Sequence, residues 1–149
     1  MNKILQFILI PFILLAVVYA ATAAPTAVTR RTANETPYYD GQFTDADQAN
    51  GNKVNNADGL TQLIFMNTNT AGTATVTITA QKTTFNVPGV GPLTKSNITC
   101  SLTALSGSAC FVGKLNATIW NDASGMIQVT YSGNGSGDVK LIPFAAPAP

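Results

Sequence analysis

The clearest pattern in the chain lies at residues 73–80. Thr73, Thr75, Thr77 and Thr79 alternate with Ala74, Val76, Ile78 and Ala80. A period of two sends the threonines to one face and the apolar residues to the other, which predicts a half-buried strand. Threonine is β-branched and suits the solvated face of such a strand. Just upstream, residues 62–66 form a compact apolar run, and residues 67–72 between the two runs are turn-forming. The two runs are therefore expected to pair as a hairpin.

The same reading continues to the C-terminus. Residues 83–87 give a short strand, followed by a loop at Pro88-Gly89 and Gly91-Pro92, because proline cannot continue a central ladder. Residues 98–104 alternate, with Ile98, Cys100, Leu102 and Ala104 on one face, and residues 109–112 return after Ser106-Gly107-Ser108. Strands are expected at 115–120, at 126–131 with Ile127, Val129 and Tyr131 inward, and at 138–144. Pro143 in the last of these predicts an edge position.

Seven or eight short strands, with no convincing helix after residue 24, predict an all-β fold. The expected architecture is a single antiparallel β-sandwich, jelly-roll or immunoglobulin-like.

The N-terminus breaks this pattern. Nineteen of residues 1–24 are apolar, and Lys3 carries the only charge among them. A lysine, an apolar run from residue 4 to 19 and then small residues is the layout of a secretory signal peptide, with cuts fitting after Ala23 or Ala20. An uncleaved anchor through residues 4–24 is the rival reading, since that stretch just reaches a membrane span. The domain expectation is thus a signal peptide or anchor, with an apolar helix, at 1–24. A flexible linker follows at 25–44, then the β-sandwich at 45–144 and a frayed tail at 145–149. The chain is expected to be exported, to a virion, the cell surface or the medium, or to stay membrane-tethered.

Composition sharpens this picture. The mean hydropathy of +0.19 owes its sign to the leader, because only 49 of the 125 residues after it are apolar. Those 125 residues hold seven Lys or Arg against seven Asp or Glu, so no electrostatic case exists for a nucleic-acid partner. The absence of histidine excludes a Ser-His-Asp triad, a Cys-His dyad and histidine-liganded zinc. The carboxylates form no recognisable glycosidase pair, and Ser106-Gly107-Ser108 lacks the pattern of a nucleophile elbow. A non-enzyme without cofactor or metal is expected.

Cys100 and Cys110 are an even count in an exported chain and suggest a disulfide, with two buried thiols as the alternative. A reversal centred near Leu105 would set them opposite each other on antiparallel strands, whereas one centred on Gly107 would slip the register. Asp45, Asp47 and Asp58, with Asn50 and Asn52, are oxygen ligands in one loop and candidates for calcium. The EF-hand register fails there, and a turn-rich loop of Asx turns is the simpler reading. Tyr38, Tyr39 and Trp120 are candidates for surface contact, including stacking on sugar rings; a lone Trp in a small sandwich is more often core. Asn34, Asn97, Asn116 and Asn134 fit the glycosylation sequon, but no more often than this composition supplies by chance.

The order of several pieces carries a resemblance. They are residues 46–53 (Ala46-Asp47-Gln48-Ala49-Asn50-Gly51-Asn52-Lys53), Leu63-Ile64-Phe65-Met66-Asn67-Thr68, Ala74-Thr75-Val76-Thr77-Ile78, and Phe111-Val112-Gly113-Lys114-Leu115. The last is Asn121-Asp122-Ala123-Ser124-Gly125-Met126-Ile127-Gln128-Val129-Thr130-Tyr131. In this order, over residues 45–144, the chain resembles small virion-associated β-sandwich proteins of tailed phages, of the capsid-decoration kind. The resemblance implies a decoration or lattice subunit whose partners are itself or other virion or surface structural proteins. The leader and the cysteine pair are additions to that pattern and point to a cell-surface or membrane-associated version. A secreted carbohydrate- or surface-binding module is the alternative function.

Overall fold

In the computed structural model, residues 23–32, 43–104 and 108–145 are described. The alternation at 73–80 becomes a strand, β6 (Ala74–Ile78), with its apolar residues buried and Thr75 and Thr77 half-buried. Its neighbours are β9 (Ile98–Leu102) on one side and β11 (Met126–Ser132) on the other. Beyond β11 lie β4 (Asn52–Asn55) and then β1 (Thr26–Val28), completing a five-stranded sheet. A second five-stranded sheet is built on β5 (Thr61–Asn67), flanked by β10 (Ser108–Val112) and β12 (Val139–Ala145). The far side of β12 is shared by β2 (Arg31–Thr32) and β3 (Thr44–Asp45). A separate hairpin joins β7 (Thr84–Val87) to β8 (Gly91–Thr94).

The fold is mostly β and its pairings are antiparallel, except where the N-terminal arm adds β1 to β4 and β2 to β12 in parallel. The expected linker at 25–44 therefore contributes strands to both large sheets. Both sheets also feed one buried apolar cluster. Val54, Val76, Ile78, Leu102, Ile127 and Val129 come from the first, and Leu63, Phe65, Val112, Val139 and Leu141 from the second. Burying side chains of this size stabilises the fold by about 1.5–3 kcal/mol each.

Several expectations are corrected. The runs at 62–66 and 73–80 do not form a hairpin, because β5 and β6 belong to different sheets. The crossing lets the apolar faces of both runs enter the same cluster. Its polar turn is held by the buried Asn67, whose Nδ2 donates to the carbonyls of Gly72 (2.8 Å) and Thr103 (3.2 Å). Strands β9 and β10 are likewise split between the sheets.

Pro143 is not on an edge strand, since β12 has β5 on one side and β2 with β3 on the other. On that second flank β3 covers Lys140 and Leu141 and β2 covers Phe144 and Ala145, so the proline stands in the gap where no donor is called for. Residues 115–120 are not a strand either. Asn116 caps a single helical turn, α1 (Ala117–Trp120), by accepting from Thr118 N at 2.8 Å. Residues 1–22 of the leader, the reversal at 105–107 and the tail at 146–149 lie outside the described residues, and among the described residues no helix is long and apolar enough to cross a membrane.

The strands share two ends. At one end Asn67, Leu102 and Val139 meet; there Gly133, at φ +95°, passes so close to Thr73 that a Cβ would strike its carbonyl oxygen. At the other end Thr61 O accepts from Leu115 N (3.1 Å), and Gln81 N donates to Ile119 O (2.9 Å), so α1 and the base of the β7–β8 hairpin sit together.

Candidate interaction surface

The three candidate calcium ligands do not converge. Asp45 pairs with Lys140 at 2.8 Å. Asp47 accepts from the Thr26 hydroxyl and, turning back on its own loop, from Asn50 N (3.0 Å); these bonds, the Thr26 one foremost, hold its carboxyl below the usual range. Asp58 receives both guanidinium nitrogens of Arg30, the second at 2.7 Å, and caps Leu60 N at 3.0 Å. The Arg30 hydrogen bonds, with Leu60 N behind them, hold its carboxyl down at about 2. Loop bonds of this kind, repeated where Asn55 Oδ1 accepts from Ala57 N, are Asx turns. Among the described residues no group of three or more Cys, Asp or Glu is placed to hold a metal ion.

Trp120 is in the core. It is 4% exposed, and the Lys95 ammonium stands 5.6 Å from its ring centroid. Such a ring has no free face to offer a sugar, so the expectation of a contact residue at the turn is corrected for Trp120. It ends α1 pointing inward, with Asn121 N bonded back to Ala117 O. Tyr38 and Tyr39 lie outside the described residues.

Cys100 and Cys110 are joined as a disulfide, with Cα atoms 6.3 Å apart. The pairing differs from the expected hairpin, because Cys100 lies opposite Val76 in the first sheet and Cys110 opposite Phe65 in the second. The bond therefore ties β9 to β10 across the two sheets. An alternating pattern alone does not reveal it, since either arrangement gives the same alternation.

The polar interior is a set of asparagines that the sequence reading did not single out as core. Asn52, Asn56 and Asn67 are fully buried. Asn56 Nδ2 donates to Leu115 O and to Asn121 Oδ1, both at 2.7 Å, while its Oδ1 accepts from Thr61 N at 3.0 Å. Satisfied in this way, a buried amide fixes loop geometry instead of costing stability. Asp122 works similarly. Burial opposes its charge, but Lys53 Nζ at 3.0 Å, the amides of Met126 and Ser124 and the Gln128 side chain outweigh that and hold it at about 2. The shallow cleft of about 360 Å³ lined by Val28, Arg30, Asn55 and Met126 holds no nucleophile–base pair.

What the sheets do bring together is a hydroxyl-lined face on the first sheet. Register sets Thr130, Thr77 and Thr99 in one row across β11, β6 and β9. Ser132, Thr75 and Ser101 form the next row. All six are exposed or half-buried. Strand geometry spaces such residues about 4.8 Å across the sheet and about 6.7 Å along it. The alternation of each strand signalled the polar face, but only the register aligns it into rows. No family model matches the chain, and neither a curated protein nor a solved structure matches it.

Proposed function

We propose that the chain is a non-catalytic structural subunit of an exported assembly, a β-sandwich that packs against copies of itself or other lattice proteins. The observation that carries this reading is the neutral hydroxyl face of Thr75, Thr77, Thr99, Ser101, Thr130 and Ser132. The six hydroxyl side chains carry no charge, and Lys53, opposite Gln128 on the same side of the sheet, is already paired with Asp122, so packing there buries hydroxyls that find partners instead of unpaired ions, which would cost far more. The carboxylates support the reading too, because Asp47, Asp58 and Asp122 are each committed to loop or ion-pair bonds within the chain. The resemblance of residues 45–144 makes virion decoration the most specific form of this function. The alternative, a sugar-binding module, loses its strongest candidate with Trp120 in the core.

Mass spectrometry of purified virions and of cell-envelope fractions tests the reading. Recovery of the chain in either fraction, in amounts comparable to other structural proteins, is the expected result. Recovery only as a free soluble species overturns it, and absence from virions alone removes the decoration form. The same spectra report whether the mature chain begins after Ala20 or Ala23.

A further inference from the structure

Charge along this chain is balanced in sum but not in place. Between Asp58 and Asp122 there is no carboxylate side chain, and there are three lysines, Lys82, Lys95 and Lys114. All three are exposed, and all lie at the α1 end of the strands. Lys82 N donates to Ile119 O (3.0 Å), Lys95 N to Thr83 O (2.7 Å), and Lys114 precedes Leu115, which is bonded to Thr61. Among the described residues the carboxylates at this end are Asp58 and Asp122, which pair with Arg30 and Lys53.

The β7–β8 hairpin projects from the same end. A Cβ at Gly89 or Gly91 would meet no atom within 4 Å, and Val90 and Leu93 are 68% and 41% exposed. An apolar tip left in water is a marker of a contact site.

The opposite end is acidic. Asp138 is exposed and accepts from Asn69 Nδ2 at 2.6 Å. The loop holding Asp47 is pinned beside it, with Ala46 N bonded to Val139 O at 2.9 Å. Asp45 is there as well, paired with Lys140. Among the described residues this end therefore sets three carboxylates against one lysine.

We propose that copies of this chain associate head to tail, the lysine-flanked β7–β8 hairpin of one copy seated on the Asp47 and Asp138 end of the next. The inference rests on the structural-subunit reading and names its partner, a second copy. Opposite charge at the two ends selects that orientation and disfavours head-to-head contacts, although the net charge is near zero. A contact between two different surfaces of the same molecule repeats, so it builds a ring or an open row of subunits.

Sedimentation velocity on the purified mature protein tests this. At low salt, about 50 mM, the average mass rises with protein concentration; at about 500 mM, where screening is strong, it falls back towards the monomer. Lys82→Glu with Lys95→Glu weakens association about tenfold or more, and so does Asp138→Lys. Mixing those two proteins restores association as far as pairs, because the unaltered lysine-flanked hairpin of the Asp138→Lys protein then meets the unaltered acidic end of the other. Val90→Asp with Leu93→Asp weakens association without moving the melting temperature, which separates loss of contact from loss of fold. A monomer at every concentration and salt, or association indifferent to these variants, overturns the inference. So does a wild type that stays monomeric yet sediments with phosphatidylserine vesicles through the same lysines. A monomeric protein still recovered in virions or envelopes sinks head-to-tail association alone. Self-association by a protein absent from both fractions sinks the structural reading alone.

Discussion

The phenolic hydroxyl of Tyr131 donates a 2.6 Å hydrogen bond to Oδ1 of Asn52, tying β11 to the start of β4 inside the protein. The same Oδ1 accepts from Asp47 N at 3.2 Å, and the Nδ2 of Asn52 reaches Thr26 O at 3.5 Å. One buried amide thus links the core, the Asp47 loop and the N-terminal arm. Tyr131→Phe removes the donor and leaves Oδ1 with a single long bond. Urea denaturation is expected to show a loss of about 1–2 kcal/mol with an unchanged slope.

Burial pushes the Tyr131 phenol well above its ordinary value, and the nearby Asp47 charge pushes the same way. The group holds its proton more tightly folded than unfolded. Its contribution to stability is therefore complete below the ordinary tyrosine value of about 10 and is lost as pH rises beyond it towards the folded value. An absorbance titration should show this phenol ionising together with unfolding, and Tyr131→Phe should flatten the alkaline fall in stability. Ionisation of Tyr131 in the folded protein near its ordinary value would contradict the burial argument.

How far the fold was legible in the sequence depended on whether a feature was local. The inward sets Val76–Ile78 on β6 and Ile127–Val129–Tyr131 on β11 follow from period two, because alternation is a property of one strand. Which strands pair is not such a property. Turn-forming runs such as residues 67–72 and Ser106-Gly107-Ser108 permit either a hairpin or a crossing from sequence alone, and in the fold Asn67 and the shared core favour the crossing. Trp120 was misplaced because Asn116 at the start of α1 acts as an N-cap, a signal visible in the sequence but overridden by the expectation of another strand. The candidate face was half legible: the threonines of residues 73–79 were plain, whereas their alignment with Thr99 and Thr130 required the register.

The Cys100–Cys110 bond joins the edge strands of two sheets across ten positions of chain. Closing a loop of that size in the unfolded state is worth about 2–3 kcal/mol in the chain-entropy account. Cys100→Ser with Cys110→Ser is expected to fold but to melt lower, and a reductant should lower the wild type to the same point. A reductant that leaves the wild-type melting temperature unchanged would mean that the placement of β9 and β10 in different sheets is held by Asn67 and packing alone.

Acid should release the N-terminal arm first. Asp58 is held at about 2 chiefly by the Arg30 hydrogen bonds, so it is charged in the folded state well below the ordinary carboxylate value. A depressed value contributes stability that is present above the unfolded value of about 4 and disappears as pH falls through about 2. Hydrogen exchange of the Thr26–Val28 amides is expected to accelerate across that window while the amides of β6 stay protected. Arg30→Gln should bring the same acceleration at neutral pH, and equal protection of wild type and variant would remove Arg30 from the account.

The hydroxyl face provides the most direct separation of fold from assembly. Thr77 stands at the centre of its row, between Thr130 and Thr99, with its side chain half-buried on the side of the sheet away from Val76 and Ile78. Thr77→Lys is compatible with the strand and buries no new group in the isolated subunit, so its melting temperature should move by the equivalent of about 0.5 kcal/mol or less. In an assembly that packs on this face, the same lysine would be buried without a partner, at a cost of several kcal/mol. The variant should therefore be recovered as a folded free protein and be depleted from virions or envelopes, whereas Gln62→Lys, on the outward side of β5 in the other sheet, should be incorporated. Equal incorporation of both variants would move the packing surface elsewhere on the molecule.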